Sequence, residues 1–263
     1  MLTHSYKAAA AQFDVKRGDT DANLFTLREM TAEAKERAVK LLVLPEMWSC
    51  GFDNENLAEH ARKTPEILAE VQKLAKRYDM LIAGSVPESE EGKIYNTLYA
   101  ADRDGSIAGS YRKIHLFSLT GEEKFFTAGD RPVICKTSLG MLGLMICYDL
   151  RFPELCRALT LKGAPLVIVS AQWPRIRISR WDILARARAI ENQIYIIACN
   201  RCGKENSTVF GGHSLIADPS GEILAKAKAE NCICCGEILP ERLAEIRSAM
   251  PSLEERMPHA YTF

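Results

Sequence analysis

The stretch Leu142-Gly143-Leu144-Met145-Ile146-Cys147-Tyr148-Asp149-Leu150-Arg151-Phe152-Pro153 joins an apolar run to a polar turn and then to a proline. An apolar run of this length is typical of a β-strand buried on both faces. Proline is favoured in the first turn of a helix, so a helix is predicted over 153–162. This strand, turn and helix form the repeating unit of an α/β fold, and the same unit recurs on both sides of the stretch.

The two halves of the chain have the same order of predicted elements. In each half, strands and helices alternate and are followed by a hairpin, whose turns are Asp102-Arg103-Asp104-Gly105 and Asp218-Pro219-Ser220-Gly221. Strands are predicted at 7–13, 41–44, 81–86, 94–101, 107–112, 142–147, 166–170, 194–199, 214–217 and 222–225. Helices are predicted at 20–39, 65–78, 153–162, 179–192 and 240–249. We interpret this as an internal two-fold duplication.

The duplication predicts how the layers pack. Two similar sheets, each covered by helices on one face, can bury their bare faces against each other and form a four-layer α-β-β-α sandwich. We expect one domain over 1–263, with the core sandwich at 1–239 and a C-terminal helix and irregular tail at 240–263. The alternative is a single doubly wound sheet. Both architectures place a cavity at the carboxyl ends of the strands.

Composition excludes several classes of function. The chain has 263 residues and 34 Lys+Arg against 34 Asp+Glu, so it lacks the basic excess with which nucleic-acid-binding proteins neutralise phosphates. The apolar stretch at 163–174 is far shorter than the roughly 18–20 residues of a membrane-spanning helix. The nine cysteines cannot all pair within one chain, which favours free thiols in a reducing compartment. A cytoplasmic protein that binds neither nucleic acid nor membrane is therefore expected.

Three chemically reactive residues follow predicted strands at the point where each strand ends. Glu46 follows the apolar run at 41–44, Lys113 ends the strand that begins at Ile107, and Cys147 ends the run quoted above. A sheet aims groups at strand ends into a shared crevice, so these three are candidate catalytic residues. Each also has a structural interpretation, as a small buried apolar residue for the cysteine and as surface charges for the other two.

The sequence around Cys147 and Glu46 favours the catalytic interpretation. A thiol at a strand-to-helix turn is exposed, and neighbouring backbone N–H groups can receive an oxyanion. Glu46 lies next to Trp48, and a carboxyl in such a partly dry pocket tends to have a raised pKa that suits proton transfer. His115 is an alternative base, because strand alternation would place it on the same face as Lys113 and allow a Cys–His pair.

The motifs that contain these residues resemble those of the nitrilase (carbon–nitrogen hydrolase) superfamily. They are Pro45-Glu46-Met47-Trp48, Tyr111-Arg112-Lys113-Ile114-His115-Leu116-Phe117 and Ile146-Cys147-Tyr148-Asp149-Leu150-Arg151-Phe152-Pro153-Glu154. The likeness spans nearly the whole chain and includes the stretches at 187–193 and 212–214. It implies the four-layer sandwich and a Glu–Lys–Cys triad, carried over to Glu46, Lys113 and Cys147. It also implies a homodimer or a higher homo-oligomer.

The resemblance further implies an amidase mechanism. A second glutamate follows the lysine motif in many members of the family, and here Glu122 or Glu123 can take that place, with Glu122 preferred. Glu46 would act as general base and acid, Cys147 as the nucleophile that forms a thioester, and Lys113 with the backbone N–H of Tyr148 as oxyanion donors. Such a reaction consumes a small amide and water and needs no metal or organic cofactor.

Within the family, the chain most resembles the ω-amidase branch, whose members deamidate 2-oxoglutaramate or 2-oxosuccinamate. This resemblance reduces the range of expected substrates to such amides. Arg151 would bind the substrate carboxylate, and Trp173 would form an apolar wall. The structural alternatives are an Arg151–Glu154 ion pair and a tryptophan of the core. Related activities on deaminated glutathione, N-carbamoyl compounds or aliphatic amides also fit the motifs.

A protein of another class, a thiol-rich metal or redox protein, is the remaining alternative. It rests on the late cysteines and their spacing. These are Cys199, Cys202, Cys232, Cys234 and Cys235. A closed zinc site usually pairs two cysteine knuckles at a shorter separation than this sequence has, so no metal is expected.

Overall fold

Two six-stranded β-sheets lie face to face in the computed structural model, which describes residues 2 and 4–260. The first sheet has the strand order β14-β1-β2-β3-β4-β5 and the second the order β13-β12-β9-β8-β7-β6. The strands of the first sheet are β1 (Tyr6–Gln12), β2 (Val39–Val43), β3 (Leu81–Glu90), β4 (Lys93–Ala101), β5 (Ile107–Arg112) and β14 (Cys232–Ile238). Those of the second are β6 (Ile134–Thr137), β7 (Gly140–Ile146), β8 (Leu166–Ala171), β9 (Tyr195–Asn200), β12 (Leu215–Ala217) and β13 (Ile223–Lys226).

Helices cover the outer faces of both sheets. One apolar core packs α1 (Thr20–Glu36) and α2 (Leu57–Tyr78) against the first sheet. A second core fills the space between the two sheets and continues under α3 (Pro153–Leu161) and α4 (Ile178–Asn192). A short helix, α5 (Pro240–Ala249), follows β14. The layers are therefore α-β-β-α, as the sequence predicts, and the single doubly wound sheet is excluded.

The strand directions show the internal duplication. In the first sheet β1, β2 and β3 are parallel, and β4 and β5 continue the sheet antiparallel to their neighbours. In the second sheet β7, β8 and β9 are parallel, and β12 and β13 are antiparallel to theirs. The carboxyl ends of the parallel strands in each sheet lie at one edge, which is where the candidate residues are found.

Strand β14 joins the two halves and was not predicted. It comes from the second half of the chain and pairs antiparallel with β1, from Tyr6 opposite Ile238 to Gln12 opposite Cys232. A second unpredicted element is the hairpin of β10 (Cys202–Glu205) and β11 (Thr208–Gly211), which forms a separate two-stranded sheet. The pairing of β14 depends on a distant part of the chain, whereas the β10–β11 hairpin pairs locally.

Helix α2 corrects the predicted start of the second helix. It begins at Leu57, so Pro65 lies inside the helix and not in its first turn as predicted. The buried face of the helix includes Leu57, Ala61 and Ile67, on both sides of the proline. Burial of this face outweighs the one backbone hydrogen bond that proline cannot donate.

Among the helices of residues 4–260, none combines the length and the hydropathy that a bilayer crossing requires. The predicted single domain over 1–263 includes Met1, Thr3 and residues 261–263, which lie outside the described residues, and it stays a prediction.

Candidate active site

Three strand ends bring Glu46, Lys113 and Cys147 to one cavity. Glu46 lies three residues after β2, Lys113 follows β5 directly, and Cys147 follows β7 directly. All three line a cavity of about 530 Å³. We call these three residues the Glu–Lys–Cys cluster. Because two belong to the first half of the chain and one to the second, the cavity forms only when both sheets are assembled.

Lys113 lies at the centre of a buried ion network. Its Nζ is 2.8 Å from Glu46 Oε1 and 2.8 and 2.9 Å from the two carboxylate oxygens of Glu122. The side chains of these three residues are almost completely buried. Burial alone would lower the pKa of Lys113, but the two carboxylates more than offset it and hold that pKa above its ordinary value. The ammonium is therefore charged throughout the physiological range.

The backbone at Lys113 is held on both sides. Its N–H donates to Asn96 O at 2.9 Å, and its carbonyl accepts from Gly129 N at 2.8 Å. A Cβ at position 129 would overlap the carbonyl oxygen of Arg112, so only glycine allows this close approach. The position of the ammonium group is thus determined by the backbone as well as by its ion pairs.

Glu46 is a buried carboxyl whose pKa lies above its ordinary value. Burial is the largest cause, Lys113 acts in the opposite direction, and the charge of Glu122 raises the pKa further. Asn96 Nδ2 donates to Glu46 Oε1 at 2.9 Å, the same oxygen that binds Lys113. A carboxyl with a raised pKa, next to a thiol, is suited to accept and return a proton near neutral pH.

Cys147 occupies a left-handed backbone conformation, with φ of 49°, in the 3₁₀ turn Cys147–Arg151 between β7 and α3. Its thiol interacts with the Glu46 carboxylate and with the backbone N–H of Gln172, and both affect its pKa. Burial and the charge of Glu46 raise its pKa well above the ordinary value, although Lys113 lowers it. The resting residue is therefore a neutral thiol, and its proton must leave when the sulfur attacks.

Gln172 and Arg201 belong to the site and were not predicted. Gln172 Nε2 donates to the Glu46 carbonyl at 2.6 Å, and Arg201 Nη1 donates to Gln172 Oε1 at 3.0 Å. Arg201 is only 1% exposed and also pairs with Asp14 and Glu205. Gln172 follows β8 and Arg201 follows β9. Both could therefore have been predicted from their positions at strand ends, as Cys147 was.

His115 is turned toward a buried carboxylate. Its Nδ1 is 2.7 Å from Asp149 Oδ1, and its ring stacks on Phe152 with 3.6 Å between the ring centres. Asp149 also accepts from Tyr111 Oη at 2.8 Å and from Ile146 N at 2.9 Å. The wall that the described residues form around the cavity does not include His115. This geometry favours Glu46 over His115 as the base.

Of the two glutamates that the sequence offers after the lysine motif, Glu122 is the one that lies beside Lys113. It is buried and reaches Lys113, and Phe117 N donates to its Oε2 at 2.7 Å, whereas Glu123 is exposed. It lies in a short 3₁₀ turn, Glu122–Lys124, next to the cavity.

Tyr148, Arg151 and Trp173 lie around a side pocket of about 50 Å³ that also reaches Cys147. The Arg151 guanidinium carbon is 4.7 Å from the Trp173 ring centre, and Trp173 Nε1 donates to Cys147 O at 3.4 Å. Among the ion pairs of residues 4–260, none joins Arg151 to Glu154, so the structural alternative for this arginine is not observed.

The other cysteines are unpaired and mostly buried. Cys199 Sγ contacts the Ala11 carbonyl at 3.3 Å, and Cys202 Sγ contacts Asn231 Oδ1 at 3.1 Å. In the part of the chain that the structure describes, no three His, Cys, Asp or Glu side chains are grouped so that they could hold a metal ion.

A larger cleft of about 1030 Å³ between α1 and α2 is lined mostly by polar residues away from the Glu–Lys–Cys cluster.

Comparisons with known proteins define the class of this protein. The family model for carbon–nitrogen hydrolases matches residues 7–248. The chain is 38% identical to the 2-oxoglutaramate amidase of Bacillus subtilis over 93% of this chain and 95% of that protein. It is 32% identical to omega-amidase NIT2 of Mus musculus over 98% and 97% of the two chains. It also superimposes on Saccharomyces cerevisiae Nit3, a member of branch 10 of the nitrilase superfamily, with a TM-score of 0.91, 30% identity and 97% coverage of both chains.

These matches extend over nearly the whole chain, so the fold and its cavity are those of a hydrolase of non-peptide carbon–nitrogen bonds in linear amides. The chain belongs to the carbon–nitrogen hydrolase family.

Proposed function

We propose that this protein hydrolyses the ω-amide of a short 2-oxo dicarboxylate, such as 2-oxoglutaramate, to the carboxylate and ammonia through a thioester on Cys147. The observation that carries the proposal is the buried Glu–Lys–Cys cluster, in which the Cys147 thiol lines the same cavity as Lys113 and a glutamate of raised pKa. The substrate is supported by the relatives named 2-oxoglutaramate amidase and omega-amidase.

In the first step the Cys147 sulfur attacks the amide carbon while Glu46 accepts the thiol proton. The carbonyl π electrons move to the oxygen, which becomes an oxyanion. Lys113 has three N–H bonds, and one to Glu46 and one shared between the two oxygens of Glu122 leave the third for this oxyanion. The Tyr148 backbone N–H is the second proposed donor, and each such donor typically contributes about 10²–10³ in rate.

In the second step the tetrahedral intermediate collapses. The carbon–nitrogen bond breaks, Glu46 returns its proton to the leaving nitrogen, and ammonia departs from a thioester. Glu46 then takes a proton from water as the water oxygen attacks the thioester carbon, and that proton passes to the departing sulfur. General acid–base catalysis of this kind contributes about 10²–10⁴ in rate. Glu122 keeps Lys113 in place and raises the pKa of Glu46.

Deaminated glutathione is a second candidate substrate. The cavity of about 530 Å³ falls within the range that accommodates drug-sized ligands and leaves room beyond a five-carbon amide. A longer amide with a carboxylate at its far end would use the same cluster.

The proposal also includes the setting in which the enzyme works. The nine free cysteines support a reducing, cytoplasmic compartment. A homodimer or higher homo-oligomer is proposed from the family resemblance alone.

Hydrolysis of a panel of amides tests the function, followed as ammonia release or, for deaminated glutathione, as release of cysteinylglycine. The panel contains 2-oxoglutaramate, deaminated glutathione, an N-carbamoyl amino acid and propanamide, each with the wild type and Cys147→Ala. We expect the highest kcat/KM for 2-oxoglutaramate, no turnover by the variant, and a Cys147 mass adduct after rapid acid quench. Absence of 2-oxoglutaramate turnover beside clear turnover of another amide would reject the proposed substrate. Turnover by Cys147→Ala would reject the mechanism.

A further inference from the structure

Two spaces meet at the nucleophile, and one arginine borders both. The main cavity and the side pocket are both lined by Cys147, Phe117 and Arg177. The side pocket has a volume of about 50 Å³, above the roughly 10–15 Å³ that a cavity needs to hold one water molecule, so a small polar group such as a carboxylate can enter it. Arg177 is therefore close to the reacting centre, although it was not among the site residues predicted from the sequence.

The guanidinium N–H groups of Arg177 have no hydrogen-bond acceptor among residues 4–260. Among residues 4–260, no ion pair and no side-chain hydrogen bond involves its guanidinium group. Its guanidinium carbon lies 4.9 Å from the centre of the Phe117 ring, and the residue is half-buried. Its backbone N–H donates to Pro174 O at 2.9 Å and so fixes the turn that carries it. The side chain is held in place by an aromatic face, and its N–H donors remain available.

The other cations of the main cavity are differently placed. Lys113 is neutralised by two carboxylates, and Arg175 is exposed at the rim and does not border the side pocket. The residues that line the side pocket include two arginines, Arg151 and Arg177, and no carboxylate. An anion bound there would lie near two arginines, and no carboxylate among the lining residues would neutralise their charge.

We infer that Arg177 anchors the carboxylate of the substrate, opposite Arg151, while the amide carbon lies at Cys147. This inference rests on the proposed function and deepens it, because it names the residue that selects an amide with an anionic far end. A guanidinium and a carboxylate form paired charge-assisted hydrogen bonds, and an uncharged amide would gain nothing from them.

The test compares an anionic and a neutral amide in matched variants. We expect Arg177→Gln to lower kcat/KM for 2-oxoglutaramate by about 10- to 100-fold, mainly through KM, and to change kcat/KM for propanamide by less than about twofold. Arg177→Lys should recover only part of the loss because it lacks the planar fork. Arg180 is an exposed arginine in the first turn of α4, three residues after Arg177, and the control variant Arg180→Gln should behave as the wild type. An equal loss on both amides, or a loss in Arg175→Gln and not in Arg177→Gln, would overturn the inference.

A second measurement separates this inference from the proposed function. Glutarate carries carboxylates but no amide, so it can occupy the anchor without reacting. We expect it to inhibit propanamide hydrolysis competitively in the wild type, with an inhibition constant raised about 10- to 100-fold in Arg177→Gln. This result would support the anchor even if 2-oxoglutaramate were not a substrate. An inhibition constant that is the same in both proteins would refute it.

Discussion

Replacing Glu122 by glutamine tests the electrostatics of the site most directly. Glu46 Oε1 and Glu122 Oε1 both lie 2.8 Å from Lys113 Nζ, so these two oxygens are at most about 5.6 Å apart. Two unit charges at that distance repel by about 3 kcal/mol at an effective dielectric constant of about 20. Because the positive charge of Lys113 lies between them, only part of this repulsion remains as an upward shift of the Glu46 pKa.

The sign of the effect follows from the role of Glu46. The charge of Glu122 raises the pKa of Glu46, so Glu122→Gln lowers it. Glu46 must be ionised to accept the thiol proton, and the acid limb of the kcat/KM profile therefore moves to lower pH. A carboxylate with a lower pKa is a weaker base, so the plateau rate falls by about tenfold or less. Glutamine keeps an oxygen that can accept from Lys113.

The assay is ammonia release from 2-oxoglutaramate between pH 4 and pH 9, with Glu123→Gln as the matched control. Glu123 is the exposed neighbour in the same turn, and its replacement should leave the acid limb where the wild type has it. Thermal unfolding of both variants checks that the fold is retained. An acid limb that stays in place or moves to higher pH in Glu122→Gln would refute the electrostatic reasoning.

Three further predictions concern single residues. Cys147→Ala should abolish turnover, whereas Cys199→Ala and Cys234→Ala should retain it, as measured by ammonia release; an inactive Cys199→Ala that is correctly folded would contradict this. Glu46→Gln should lower kcat by at least about 10³-fold and His115→Ala by much less, because His115 contacts Asp149 and lies outside the cavity wall; a milder loss in Glu46→Gln would point to a Cys–His pair. Arg201→Met should lower kcat more than it raises KM, because Arg201 holds the Gln172 side chain that binds the Glu46 carbonyl; a change in KM alone would argue against this positioning role.

The three residues of the Glu–Lys–Cys cluster could be predicted because each ends an apolar strand. Apolar runs locate strand ends well, and a parallel arrangement brings those ends together. Asn96 could not be found in this way, since it lies inside β4 and reaches Glu46 only because that strand pairs with β3. Arg201 follows a strand as Cys147 does, so its position could have been noticed in the same way, but only the assembled sheets show that it is buried.

Strand β14 escaped prediction because its pairing is long-range. Strand β14 contains Cys232, Cys234 and Cys235, which in the sequence suggested a metal or redox cluster. In the structure the strand pairs with β1, a strand of mostly alanine, so its cysteines serve as small side chains within the first sheet. No local pattern in 232–238 indicates this partner, which is more than 200 residues away in the sequence.

The net charge of the whole chain is zero, but the charge at the site is not. Two buried carboxylates surround one buried ammonium, so the Glu–Lys–Cys cluster with Glu122 carries a formal charge of −1 when the thiol is neutral. This charge favours proton uptake by Glu46, but it repels an anionic substrate at the reacting carbon. A chain whose 34 basic and 34 acidic residues cancel offers no overall attraction to offset that repulsion. An enzyme for anionic amides built on this cluster therefore requires local positive charge at the far end of the substrate, which is the place where Arg151 and Arg177 face the side pocket.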